Sequence, residues 1–185
     1  MEVIEAMLKR RSIRKYQDKE VSAEVLLELV KAGMAAPSAC NNQPWEFIVV
    51  TSLAKELQQH LRFGNYKAPA AIVVCGNLKI AKGGLQRYWE QDCSAAMENI
   101  LLAATGLGLG SVWIGLHPIE SVIKPLRKLL LLPDYVIPLG VALIGYSDED
   151  KPKRTQFNPK RIYMEQYDSS RKYKTKKKNS KYNIG

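Results

Sequence analysis

A cluster of basic residues directly follows the first predicted helix. Arg10, Arg11, Ser12 and Arg14 lie within five consecutive positions. Arginine guanidinium groups bind phosphate through paired hydrogen bonds, and a serine hydroxyl can add another. The cluster therefore indicates a phosphate site. On these residues alone, the alternative is a solvated basic helix end, which the helix dipole also favours.

A second polar segment separates a predicted helix from a predicted strand. It runs from Ala36 to Trp45 and reads APSACNNQPW. Side-chain amides carry a donor and an acceptor on one group, which suits the edge of a ring that presents both kinds of atom, such as a flavin. The alternative is a turn whose Asn and Ser side chains bond to local backbone groups. Three consecutive amides are more than such a turn requires.

Two further segments carry weaker signals. The glycines of GLGLGS at 106–111 could suggest a dinucleotide-binding loop. We reject this interpretation, because the GxGxxG fingerprint of such loops follows a strand, whereas these glycines precede one. They instead suggest close backbone approach to a flat ligand or to another chain. Lys153 and Arg154, within KPKR at 151–154, could add a phosphate cation or form a solvated connection.

Hydrophobic periodicity predicts the elements that must position these residues. The apolar run AAIVVC at 70–75 is typical of a strand covered on both faces. Ser22 and Ser52 are suitable helix N-caps, and Pro125 is a candidate break. Predicted helices cover residues 2–9, 22–36, 52–61, 87–105 and 118–130, and predicted strands cover 45–51, 70–75, 111–115 and 135–144. This order predicts an α+β or α/β three-layer arrangement.

Composition limits the class of protein. A chain of 185 residues with 46% hydrophobic content can form one globular domain. No apolar run is long enough to span a bilayer and no signal pattern is present, so we expect a cytoplasmic protein. The two histidines and the separated Cys40, Cys75 and Cys93 make a metal site unexpected.

The positive charge is concentrated at the C-terminus. The net charge is +10, and residues 171–185 hold seven basic residues and no acidic one. We expect this lysine-rich tail to be disordered, with a folded domain at 1–167 and the tail at 168–185. A tail that binds nucleic acid is the rival interpretation, and we regard it as the less favoured one.

The joint pattern resembles the nitroreductase family. The resemblance rests on RRSIRKY at 10–16, APSACNNQPWEF at 36–47, GLGLGSVWIG at 106–115 and VALIGYSDEDKPKR at 141–154, in that order. It implies a three-layer α-β-α sandwich with a mixed, mostly antiparallel sheet flanked by helices. It also implies a homodimer with FMN at the subunit interface.

The resemblance assigns roles to individual residues. Arg10, Ser12 and Arg14, helped by Arg11, would bind the FMN phosphate and ribityl chain, with Lys153 or Arg154 as a further cation. The ribityl chain and the ring would be approached from the partner subunit by Pro37, Ser38, Asn41 and Gln43. The residues over the ring would be Ile114, Gly115 and Leu116. Asn65 and Lys67 are candidates for the polar edge of the ring.

The implied activity is a ping-pong transfer of hydride from NADH or NADPH, through FMN, to a nitroaromatic, quinone or related small-molecule acceptor. FMN would carry the chemistry, so no catalytic side chain is expected. The alternatives are other flavin chemistry on the same fold, such as reductive dehalogenation or flavin breakdown, and flavin binding without turnover.

Overall fold

The computed structural model describes residues 1–81 and 83–171. Among these residues, five α-helices, four strands and two short 3-10 turns (Ala39–Asn41 and Leu85–Tyr88) belong to the first of two compact units, which spans Met1–Arg154. The helices are α1 (Val3–Lys9), α2 (Ala23–Met34), α3 (Ala54–Gln59), α4 (Trp89–Gly106) and α5 (Glu120–Leu129). The strands are β1 (Trp45–Val50), β2 (Ala70–Asn77), β3 (Gly110–Gly115) and β4 (Val136–Gly145).

The strands form one sheet in the order β1-β2-β4-β3. Every neighbouring pair of strands is antiparallel. Among the described residues, one parallel bridge joins Ser12 to Ser111 of β3. The predicted α+β sandwich is confirmed, and the parallel component that we expected is limited to this bridge.

The two faces of the sheet carry separate hydrophobic cores. Side chains alternate across β2, so Ile72 and Val74 face one core while Ala71 and Val73 face the other. The first core is completed by α2 and α4, and the second by α3 and α5. Since β2 is buried along its whole length, its continuous apolar sequence is explained.

The observed helix bounds lie within two residues of the predicted ones, but the predicted cap at Ser52 and the predicted break at Pro125 are wrong. Helix α3 begins after Leu53, so Ser52 is not its N-cap. Pro125 lies inside α5 and does not divide it: the helix continues to Leu129 although proline lacks a backbone N–H donor. Ser22 is the N-cap of α2, where its hydroxyl accepts a hydrogen bond from the Val25 amide.

The second unit begins at Thr155. Its described part contains one short helical turn, Pro159–Arg161, which the Asn158 side chain caps. The predicted boundary at residue 167 stays a prediction, and residues 172–185 of the predicted tail lie outside the described residues. Within the residues that the structure describes, no helix is long and apolar enough to cross a membrane.

Candidate functional site

The segment after α1 is fixed along the outer edge of the sheet. Strand β3 is an edge strand, and the Ile13 amide donates to the Ser111 carbonyl over 2.9 Å. Further along, the Tyr16 hydroxyl donates to the Ile13 carbonyl over 2.8 Å. Burial is the main cause that raises the pKa of the Tyr16 phenol, so it remains a protonated donor. Residues 10–14 are therefore held rigidly beside β3.

Two glycines permit this close approach. Gly108 has a φ of +76°, which turns the chain between α4 and β3. A Cβ at Gly110 would lie 2.7 Å from Ile13 Cγ2. The expectation that these glycines face a ligand or another chain is therefore wrong for Gly110, because the segment that approaches it belongs to the same chain.

The arginine side chains of this segment have distinct neighbours. Arg10 Nε lies 3.4 Å from Glu98 Oε1 of α4. The Arg11 guanidinium donates to the Pro152 carbonyl, and the Arg14 guanidinium lies 5.8 Å from the centre of the Tyr66 ring. The three guanidinium groups thus stand at one edge of the sheet, partly solvated and positively charged.

The segment after β4 lies beside this cluster. Lys151 Nζ donates to the Ser12 carbonyl over 2.7 Å and to Glu149 Oε1 over 2.8 Å. The same carboxylate oxygen accepts from the Arg14 amide over 2.6 Å. The Lys151 hydrogen bond is the largest cause that lowers the pKa of Glu149, so this carboxylate is charged at neutral pH. The structure therefore brings the two basic segments together.

Lys153 and Arg154 differ in their surroundings. Lys153 Nζ lies 3.3 Å from Glu5 Oε1 on α1. The backbone amide of Arg154 donates to the Leu8 carbonyl over 3.1 Å. Its guanidinium has no described partner within the first unit and is exposed to solvent. Of the two, Arg154 is the cation that remains available.

Beyond the bridge, strand β3 presents backbone groups that have no hydrogen-bond partner among the described residues. Residues of an antiparallel pair alternate between bonding to their neighbour and pointing away. Because the Ser111 carbonyl points away from β4, the backbone groups of Trp113 and Gly115 do so as well. A Cβ at Gly115 would meet no atom within 4 Å, so the space beside it is open. Ile114 is half-buried, whereas the Leu116 side chain is fully buried in the core.

The amide loop at 37–43 is tied together by its own side chains. The Gln43 amide donates to Ser38 Oγ over 2.9 Å, and Gln43 Nε2 donates to Asn41 Oδ1 over 2.9 Å. Cys40, Asn41 and Gln43 have positive φ angles near +50°, a strained conformation for non-glycine residues. Pro37, Asn41 and Gln43 are exposed and Ser38 is half-buried, so the loop presents polar groups outward.

A buried carboxylate anchors this loop to α4. Asp92 Oδ1 accepts from the Ala39 amide over 2.9 Å, and the residue is only 5% exposed. Asp92 Oδ2 and Asn42 Nδ2 are buried without a partner among the described residues. These contacts differ from those of Arg10–Arg14, so the loop and the basic cluster have separate supports within one chain.

Sequence reasoning missed two residues that organise the site. Asp92 had a recognisable signal, because it is an acid in line with Ala96 and Ile100 on the apolar face of α4. Glu149 had none, since it lies between two other acids and before a basic run, which is the pattern of a solvated loop.

These features define a class: an α+β protein whose single antiparallel sheet carries a clustered cationic site on its open edge. A sequence model of the nitroreductase family matches residues 7–71 and 55–146. A protein of Methanothermobacter thermautotrophicus, provisionally named NADH dehydrogenase/NAD(P)H nitroreductase, is 44% identical over 171 residues. That alignment covers 90% of this chain and 88% of the relative. The chain belongs to the nitroreductase family.

Solved structures agree with this assignment. An FMN-dependent nitroreductase from Clostridium difficile superposes with a TM-score of 0.79 and 34% identity, over 89% of this chain and 99% of the other. A provisionally named nitroreductase from Desulfovibrio desulfuricans, in complex with FMN, gives a TM-score of 0.76 and 29% identity. It covers 91% of this chain and 99% of its own.

Proposed function

We propose that this protein is an FMN-dependent NAD(P)H oxidoreductase that reduces a nitroaromatic, quinone or related acceptor. One observation carries the proposal: the two basic segments converge beside the open edge of β3, joined by the 2.7 Å hydrogen bond from Lys151 to the Ser12 carbonyl. The names of the similar proteins support it, since they include FMN and NAD(P)H.

The donor set fits a phosphate joined to a heteroaromatic ring. Guanidinium groups at one end supply paired donors for a phosphate. The unpaired backbone groups of β3 supply both donors and acceptors for a ring edge. Ser111 Oγ is buried beside this edge without a described partner, as a polar group awaiting a ligand or water would be.

Individual residues follow from this fit. In the proposal, the FMN phosphate is bound by Arg10, Arg11, Ser12, Arg14 and Arg154. Arg154 is preferred to Lys153, because Lys153 is paired with Glu5. Ile114 and Gly115 lie against the ring, and Leu116 contributes through its backbone only, since its side chain is in the core.

The chemistry requires little of the protein beyond binding and orientation. FMN, when bound, supplies the hydride acceptor and donor at its N5 atom. NAD(P)⁺ leaves before the acceptor binds, which makes the scheme ping-pong. The chain holds the reactants in place, and the positive potential of the clustered guanidinium groups favours the negatively charged reduced ring. Neither a nucleophile nor a catalytic triad is needed.

The proposed assembly is a homodimer in the cytoplasm. Four large apolar side chains of α1 are exposed in the single chain: Val3, Ile4, Met7 and Leu8. An apolar face of this kind marks an interaction surface. The exposed Pro37–Gln43 loop would then reach the ring of the partner subunit, and three free thiols suit a reducing compartment.

The visible spectrum of the purified protein tests the proposal. We expect flavin bands that bleach on anaerobic addition of NADH or NADPH and return when a quinone or nitroaromatic is added. A colourless protein that cannot be reconstituted with FMN would overturn it. If the flavin binds but does not bleach, the protein is a flavin carrier and not an NAD(P)H-dependent enzyme.

A further inference from the structure

A pocket of about 420 Å³ opens between α3 and the segment that leads into β2. Its lining is polar and cationic, and consists of Lys55, Gln58, Gln59, Asn65, Lys67 and Ala68. Neither the phosphate-binding segments nor the amide loop contributes to it, whereas Asn65 and Lys67, the candidates for the polar edge of the flavin ring, both line it.

A buried glutamine fixes the floor of this pocket. Gln58 is 1% exposed. Its Nε2 donates to the carbonyls of Ala54 and Ala68 over 2.9 Å each, and its Oε1 accepts from the Ala68 amide over 2.9 Å. Because these bonds clamp the segment before β2 onto α3, the pocket is preformed.

Two walls stand on this floor. Lys55 and Gln59 are four residues apart on α3, so they share one face of the helix. Asn65 and Lys67 form the other wall. Tyr66, which lies between them in sequence, packs against the core shared by α3 and α5 and also contacts the Arg14 guanidinium. The pocket therefore adjoins the proposed FMN site through one residue.

The charge of the pocket is uncompensated. Both lysines are exposed, no acidic residue lines the pocket, and neither ammonium group has a partner in the part of the chain that the structure describes. In contrast, Lys151 and Lys153 are both paired with carboxylates. Two unpaired ammonium groups with amide donors between them select an anion.

We propose that this pocket is an anion subsite for a phosphate or carboxylate group carried by a molecule that reacts at the neighbouring flavin. The inference rests on the proposed function. The first candidate is the 2′-phosphate of NADPH, which would make NADPH the preferred reductant. The same chemistry could come from an acidic group on the acceptor.

Nucleotide fragments test the first source directly. We would titrate FMN-loaded protein with adenosine 2′,5′-bisphosphate and with 5′-AMP by calorimetry. Two charge-assisted contacts predict that the bisphosphate binds at least about tenfold more tightly. In the double variant Lys55→Ala/Lys67→Ala, loaded with FMN to the same extent as wild type, the two affinities should become nearly equal. Lys31→Ala on α2 removes an exposed lysine on the other side of the sheet and should preserve the difference.

Kinetics with charged and uncharged acceptors test the second source of the anionic group. If wild-type protein does not distinguish the nucleotides, we would compare KM values for nitrobenzoate and nitrobenzene. A preference for the acid that the double variant loses would assign the subsite to the acceptor and support the proposal. If the double variant changes neither preference, the proposal is overturned. If the proposed function is wrong, the protein will bind no FMN, which is a separate observation. The nucleotide titration can still be carried out on that protein.

Discussion

The cations around the proposed phosphate site differ in their neighbours, and these neighbours decide which charges remain available. Glu149 holds Lys151, and Glu5 holds Lys153. Arg10 faces Glu98, whose carboxylate is half exposed, so the guanidinium can exchange this partner for a phosphate. The Arg14 guanidinium faces the Tyr66 ring and has no carboxylate partner among the described residues.

Replacing Arg10 or Arg14 with alanine should weaken FMN retention. Loss of one charge-assisted hydrogen bond costs about 1.5–3 kcal/mol, which is more than tenfold in affinity. Fluorescence quenching of FMN measures the affinity directly. Lys124→Ala, an exposed cation of α5, is the control and should bind FMN as wild type does. If the Arg10/Arg14 double variant binds equally well, the phosphate assignment is wrong.

Asp92 should be a positioning residue for the amide loop. Asp92→Ala leaves the Ala39 amide without an acceptor, which costs about 1–3 kcal/mol, whereas Asp92→Asn retains one. We expect faster hydrogen exchange at the Ala39 amide and weaker FMN binding in the alanine variant, with rescue by asparagine. Asn99→Ala removes a 3.0 Å hydrogen bond from the same helix to the Ala32 carbonyl and is the matched control. Unchanged exchange at Ala39 in Asp92→Ala would refute the anchor.

At the scale of elements, the site depends on the contact between the segment after α1 and strand β3. Gly110→Ala places a methyl group 2.7 Å from Ile13 Cγ2. Because Ile13 is buried, it cannot move aside without shifting Arg10–Arg14. We expect weaker FMN binding, measured by fluorescence, although no ligand contact is removed.

The glycine at the end of α4 provides the control for this substitution. A Cβ at Gly106 would meet nothing within 4 Å. Gly106→Ala should stabilise the helix by about 0.5–1 kcal/mol and leave FMN binding unchanged. Equal FMN affinities in the two alanine variants would mean that the close approach at Gly110 does not position the site.

The connection after β4 should make the site sensitive to acid. The pKa of Glu149 is lowered by Lys151 and by the Arg14 amide. A carboxylate of this kind stabilises the folded protein above its unfolded-state pKa, and the contribution is lost as the pH falls through its folded-state pKa. The difference in unfolding free energy between wild type and Glu149→Gln should therefore shrink below pH 4.5, as measured by urea denaturation. A difference that stays constant down to about pH 3 would contradict this role.

Periodicity predicted the elements well because each helix and strand has a continuous apolar face. The five α-helices and four strands of the described residues lie where hydrophobic residues recur at the expected spacing, and the errors fall at Ser52 and Pro125. Periodicity does not show which segments that are distant in sequence lie next to each other in the fold. The bond from Lys151 to the Ser12 carbonyl joins positions 139 residues apart, so only the folded chain shows that the two basic segments meet.

At the scale of the whole molecule, helix α1 stands out because most of its apolar side chains are exposed in the single chain. Only Ala6 of this helix is buried, while Val3 and Ile4 are each about two-thirds exposed. Full burial of such a side chain stabilises an interface by about 1.5–3 kcal/mol. A second copy of the chain is the partner that the proposed shared site requires.

Two acidic substitutions on this face should separate the subunits. We expect Ile4→Glu/Met7→Glu to sediment as a monomer and to lose FMN, because the Pro37–Gln43 loop of the partner is then missing from each site. Leu131→Asn is the control, since Leu131 is 87% exposed at a φ of +55° and asparagine tolerates that conformation. A monomer that keeps FMN would show that one chain builds the whole site. A variant that stays dimeric would place the interface on another face, and the exposed apolar residues of α1 would then need a different partner.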